Sequence, residues 1–140
     1  KIKDKKMNKQ IIDNIYCRHI GSEKFYKRSY CNNLIYTEGI MDFQLKLQAF
    51  WLIDNIISHL PKIIQNYKLT EDGFFIVKIN VKADKSAMLK IVQEDIYQES
   101  ITILRQYIPF VDLIEYDYKF YLILSCLKPI TFTLLLPNEY

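Results

Sequence analysis

Cys17, His19 and Cys31 carry side chains that bind zinc, and Cys126 or His59 could complete a tetrahedral set if the fold brought one near. The C-x-H-x11-C spacing departs from the usual C-x2-C knuckle. Three widely spaced cysteines, an odd number, fit reduced thiols in a cytoplasmic protein better than a metal site or a disulfide framework. Glu38, Asp54 and His59 offer the types needed for acid–base chemistry, and Ser58 precedes His59. Adjacent residues point in different directions on a helix, however, and no G-x-S-x-G elbow surrounds any serine. A histidine near a helix end more often bonds the last carbonyls. The carboxylate pairs Glu38 with Asp42, Glu94 with Asp95 and Glu115 with Asp117 read as solvated turns. Gly21, Gly39 and Gly73 stand alone, so no glycine loop for phosphates exists. The expectation is a protein without catalytic residues, metal or cofactor.

Charge gives a further lead. Residues 1–30 hold nine Lys or Arg against three acids, a local +6, whereas the whole chain carries +3. Arg18, Lys24, Lys27 and Arg28 are interleaved with Tyr16, Phe25, Tyr26 and Tyr30, residue types that grip phosphates and stack on bases. Arg18, Lys24, Tyr26, Lys27 and Arg28 are therefore the candidate partner-binding residues.

The elements that must position these groups follow from periodicity. Half of the 140 residues are apolar, including eleven Tyr, eight Phe and one Trp, which is enough for one sizeable core. Ile11, Ile12, Ile15 and Tyr16 recur at helical spacing. Leu34–Tyr36 reads as a brief extended piece that ends in a turn at Glu38-Gly39. From Phe43 to Ile64 a wide apolar stripe predicts one long buried helix, broken near Pro61. The period then changes to two at Phe75, Val77, Ile79 and Val81. Ala83–Ser86 predicts a hairpin connection to a strand over 87–93, with further strands over 100–107, around 120–124 and around 130–136. Lys128 and Pro129 interrupt the most apolar stretch, so no membrane span is expected there. The fold class is α+β: N-terminal helices and one long buried helix on a C-terminal antiparallel sheet of about five strands. A single domain covers 1–140, with residues 1–6 a basic tail.

Gly21-Ser22-Glu23 with Tyr26, Tyr36-Thr37-Glu38-Gly39-Ile40, Phe50-Trp51-Leu52-Ile53-Asp54 with His59, and Leu134-Leu135-Leu136-Pro137-Asn138-Glu139-Tyr140 together resemble the domain of unknown function DUF6876. The resemblance spans Gly21 to Tyr140 and is most specific at Trp51-Leu52, Asp54 and Pro137–Tyr140. Glu94–Ser100 and Ile108–Asp112 depart from the family pattern. The resemblance implies a small bacterial or mobile-element protein and transfers no activity. Structural roles are available for the matched residues: Trp51 as a core anchor, Gly39 as a turn before the long helix, and Glu139-Tyr140 as a tie onto the basic region.

The leading expectation is a noncatalytic module that binds another protein, an inhibitor or accessory factor of a phage or mobile element. The alternatives are a nucleic-acid binder using the basic N-terminal third, and an enzyme with an unfamiliar site around Glu38, Asp54 and His59.

Overall fold

Strands with one apolar face need a cover, and here three helices supply it. The computed structural model describes residues 9–16, 24–66, 74–94 and 100–140. The helices are α1 (9–16), α2 (Glu38–Leu47) and α3 (Phe50–Asn66). The strands are β1 (Phe25–Tyr26), β2 (Leu34–Thr37), β3 (Phe74–Val81), β4 (Ala87–Glu94), β5 (Ser100–Ile108), β6 (Tyr116–Leu127) and β7 (Ile130–Leu135). They form a seven-stranded sheet in the order β1-β2-β7-β6-β3-β4-β5. All neighbours are antiparallel except β2 and β7, which run parallel with Leu34 opposite Phe132 and Tyr36 opposite Leu134.

The expected fold is corrected on three points. The sheet has seven strands rather than about five, and it is mixed, because Leu34–Thr37 docks beside a strand almost a hundred residues later. The single long helix is two helices. α2 stops where Gln48 turns left-handed at φ 53°, its N–H bonding Gln44 O, and Ala49 N also donates to Gln44 O at 3.0 Å. The proline break does not occur either: Pro61 lies inside α3, exposed. Its ring removes one backbone donor and crowds the preceding turn. The flanking Leu60 and Ile63 are buried in the core, and that burial favours the continued helix.

The core lies between the helices and one face of the sheet. Ile12 and Ile15 of α1, Ile40 and Phe43 of α2 and Leu52, Ile53, Ile56, Leu60 and Ile63 of α3 bury against Phe75, Val77, Ile79, Tyr118, Phe120, Leu122, Phe132 and Leu134. Phe43 stands at its centre, edge-on to Phe120 at 5.0 Å and to Tyr118 at 5.8 Å between ring centroids. Such edge-to-face pairs add to the area term. Trp51 is not the anchor expected of it: it is half-buried at the margin of this cluster, and the next two residues, Leu52 and Ile53, take the interior positions.

The motifs Thr37-Glu38-Gly39 and Leu136–Glu139 meet in space. Thr37 caps α2, its Oγ1 accepting from Ile40 N at 3.4 Å, so Glu38 and Gly39 form the first turn of a helix and not a preceding turn. The buried Glu139 carboxylate sits on that turn. It accepts from Thr37 Oγ1 at 2.6 Å, from Gly39 N at 3.2 Å and from Leu136 N at 2.9 Å. A helix N-terminus offers unpaired N–H groups and a positive dipole end, which suits a carboxylate. Glu139 thus ties onto α2 rather than onto the basic N-terminal region, and Tyr140 packs against Phe74 and Tyr121.

Candidate cationic sheet face

The helices cover one face of the sheet, and the register decides what stands on the other. Successive strand residues alternate between faces, so the partners of an outward residue are outward too. Lys78 of β3 is opposite Lys119 of β6 and opposite Lys90 of β4, and Lys90 is opposite Arg105 of β5. Four cations therefore form one unbroken row across four adjacent strands, about 14 Å long at the usual strand spacing. Lys78, Arg105 and Lys119 are exposed and Lys90 is half-buried. Among the described residues none of the four makes an ion pair. Like charges directly opposite one another cost stability, so this row is a feature that packing alone would select against.

The neighbouring rows complete the surface. On one side lie Tyr107, Met88, Asn80 and Asp117, with Asn80 donating to the Asp117 carboxylate. On the other lie Thr102, Val92, Ile76 and Tyr121, of which Val92 and Ile76 are buried and Tyr121 is half-buried. The Lys119 ammonium is 5.4 Å from the Tyr121 ring centroid, within cation–π reach. A cleft of about 500 Å³ opens along the row, lined by Lys78, Lys90 and Lys119 with Asn80, Met88 and Asp117. Among the described residues Asp117 is its one acid. A second, smaller hollow near Gln48, Lys85 and Asp112 lies elsewhere.

Lys119 is held in place from the helical side. β7 begins its pairing with β6 only at Tyr121, so the backbone of Lys119 lacks a strand on that edge. Tyr16 of α1 fills the gap: its hydroxyl donates to Lys119 O at 3.0 Å and accepts from Lys119 N at 3.2 Å. Burial pushes the Tyr16 hydroxyl well above its ordinary pKa of 10.0, with the Lys119 N–H pulling the other way and Tyr116 adding a smaller push. Burial also raises Tyr118, whose hydroxyl donates to Ile114 O at 3.0 Å. The unfolded chain releases both protons near pH 10, while the folded chain keeps them. The stabilisation is thus complete below pH 10 and is lost as pH climbs beyond it, by up to about 1.4 kcal/mol per pH unit for each ring. Denaturant melts across the alkaline range should show this decline, and Tyr16→Phe should make it shallower. A stability that stays level above pH 10 would contradict it.

The residues singled out from sequence lie elsewhere. Arg18, Cys17 and His19 fall outside the described residues, as do residues 1–6. Lys24 and Lys27 are exposed, and Lys27 Nζ donates to Asn32 Oδ1 at 3.2 Å. Tyr26 stacks on Tyr36 with centroids 6.0 Å apart. Arg28 is taken up internally: it donates to Asp54 Oδ1, Tyr36 Oη, Gln44 Oε1 and Phe50 O at 3.1–3.3 Å, joining β2, α2 and α3. Tyr30 also donates to Asp54. Glu38 is exposed in the first turn of α2. His59 is not at a helix end; its Nε2 lies 2.8 Å from Gln106 Oε1 on β5, well inside α3. Asp54 and His59 do not line either cleft. Cys31 is buried and Cys126 exposed, both as free thiols. Among the described residues no three His, Cys, Asp or Glu side chains group as metal ligands would, and no helix is long and apolar enough to cross a membrane.

Sequence reasoning missed Lys78, Lys90, Arg105 and Lys119, because each is an unremarkable outward residue in its own strand. Their signal is the pairing register, which no local pattern carries.

No curated protein and no solved structure matches the chain. The motifs that meet at Gly39 and Glu139 lie within the stretch 10–140 matched by the family model described as a family of unknown function, DUF6876, and the chain belongs to that family.

Proposed function

We propose that the protein is a noncatalytic nucleic-acid-binding module that reads the phosphate backbone with the cationic row on the sheet face away from its helices. The observation that supports this most is the in-register row Lys119–Lys78–Lys90–Arg105, unpaired by acids among the described residues and bordered by Tyr121 and Tyr107. Regularly spaced cations next to aromatic rings suit a polymer of phosphates and bases better than an irregular acidic protein patch. The reading moves the contact from the basic N-terminal third to residues 78–119. Binding here needs no covalent chemistry.

Titration of a labelled oligonucleotide at increasing salt tests it. With four phosphates neutralised, log K should fall against log salt with a slope of about −3 for single strands. Absence of binding at low salt would remove this reading. It would leave recognition of a protein partner, for which β5 is an edge strand among the described residues, with exposed Ile101, Tyr107 and Phe110 nearby.

A further inference from the structure

The face with the cationic row carries aromatic rings as well, and their placement distinguishes one form of nucleic acid from another. Tyr121 follows Lys119 by two positions on the same face of β6, next in line from the cationic row. Phe74 lies 4.9 Å from Tyr121 between centroids, and Tyr140 lies 5.5 Å from Phe74 and 5.9 Å from Tyr121, nearly perpendicular to the latter. Tyr140 is 77% exposed although two rings fix its position. On the opposite flank Tyr107, two positions beyond Arg105, is 62% exposed. Rings held by neighbours yet open to solvent lose little freedom when they stack on a ligand.

A duplex presents phosphates and sugars on its outside and keeps its bases stacked within. A two-stranded ribbon enters its major groove, but the interior strands of a seven-stranded sheet cannot follow. Tyr140 and Tyr107 would then meet no base. A single strand laid along the row offers phosphates to the four cations and unstacked bases to the rings at either flank. Resting on the phosphate-binding reading above, we infer that the ligand is single-stranded, and that Phe74, Tyr121 and Tyr140 form a platform on which one of its bases stacks.

Three probes of equal length decide this by fluorescence anisotropy with the full chain at low salt: a thymidine oligonucleotide, its abasic counterpart with the same charge, and a duplex. The thymidine strand should bind more tightly than the abasic one by roughly tenfold, as stacking of a single base contributes. Tyr140→Ala should close most of that gap. Tyr140 is exposed, so the variant should fold, and its thermal melt verifies this; Tyr107→Ala examines the other flank independently. Equal affinity for thymidine and abasic strands, or preference for the duplex, overturns the single-strand inference. If those same probes still weaken with Lys78→Glu, the phosphate-binding reading survives its loss. No binding of any probe overturns both.

Discussion

Alanine in place of Gly39 is expected to destabilise the protein by about 3 kcal/mol, a fall in melting temperature on the order of 10 °C. A Cβ at this position would stand 2.6 Å from Glu139 Cδ and 2.8 Å from Leu136 Cδ1, with Glu139 Oε1 closer still. The carboxylate cannot give way cheaply, because three donors hold it: Thr37 Oγ1, Gly39 N and Leu136 N. Displacing it leaves those donors without their acceptor in a buried site, at about 1–3 kcal/mol for each group left unsatisfied. Alanine's better helix propensity returns only about 1 kcal/mol. The second background makes the cause visible. In Glu139→Ala the clash with the carboxylate is gone and only the Leu136 Cδ1 contact remains, so adding Gly39→Ala should cost clearly less than in the parent, and the two changes should be strongly non-additive. Chemical denaturation of the four proteins in this cycle measures it. A Gly39→Ala variant as stable as the parent would show that the carboxylate does not need the glycine.

Lys78 is expected to show opposite effects on stability and on binding. It stands between Lys119 and Lys90, so removing its charge relieves two directly opposed like-charge pairs. Lys78→Thr should raise stability by about 1 kcal/mol, helped by the β-branched side chain. The same change should weaken oligonucleotide binding and make its salt dependence shallower by about one phosphate contact. Lys78→Glu should lower affinity further, on the order of tenfold or more at low salt, while pairing with both neighbours in the folded protein. Melting curves and anisotropy titrations on the same preparations suffice. Loss of both stability and affinity would mean that Lys78 matters through packing, and unchanged affinity would detach the row from ligand binding.

Much of the sheet could be read from residue order. The alternation at Phe75, Val77, Ile79 and Val81 is a strand with its apolar face on the core, and Ala83–Ser86 does form the hairpin. There Asp84 Oδ1 accepts from Ser86 N at 3.0 Å and from Ser86 Oγ at 2.6 Å. The irregular link after Pro109 and the two closing strands around Lys128-Pro129 also lie where the breaker residues put them. What could not be read depends on distant partners. The break between α2 and α3 falls on Gln48, which adopts a left-handed turn without Gly or Pro to announce it, while the apolar spacing runs on from Phe43 through Leu47 to Phe50. Leu34–Thr37 is too short to declare a parallel neighbour. The basic N-terminal third drew notice because composition is visible in a linear text. The cationic row was invisible because Lys78, Lys90, Arg105 and Lys119 become neighbours only when four strands are aligned. Glu139 likewise gave no sign that its acceptor oxygens serve the start of a helix 100 residues earlier.

The parallel pairing of β2 with β7 has a consequence for synthesis. The strands β3, β4, β5 and β6 can pair as they emerge, since β4 and β5 each meet the strand just made and β6 returns to β3. β2 can meet only the two-residue β1 early, because its parallel partner β7 and the carboxylate that completes the α2 start arrive only with residues 130–139. A nascent chain must therefore carry the greasy sides of α2 and α3 incompletely shielded until residues 130–139 have emerged, a period in which a holding chaperone would find them.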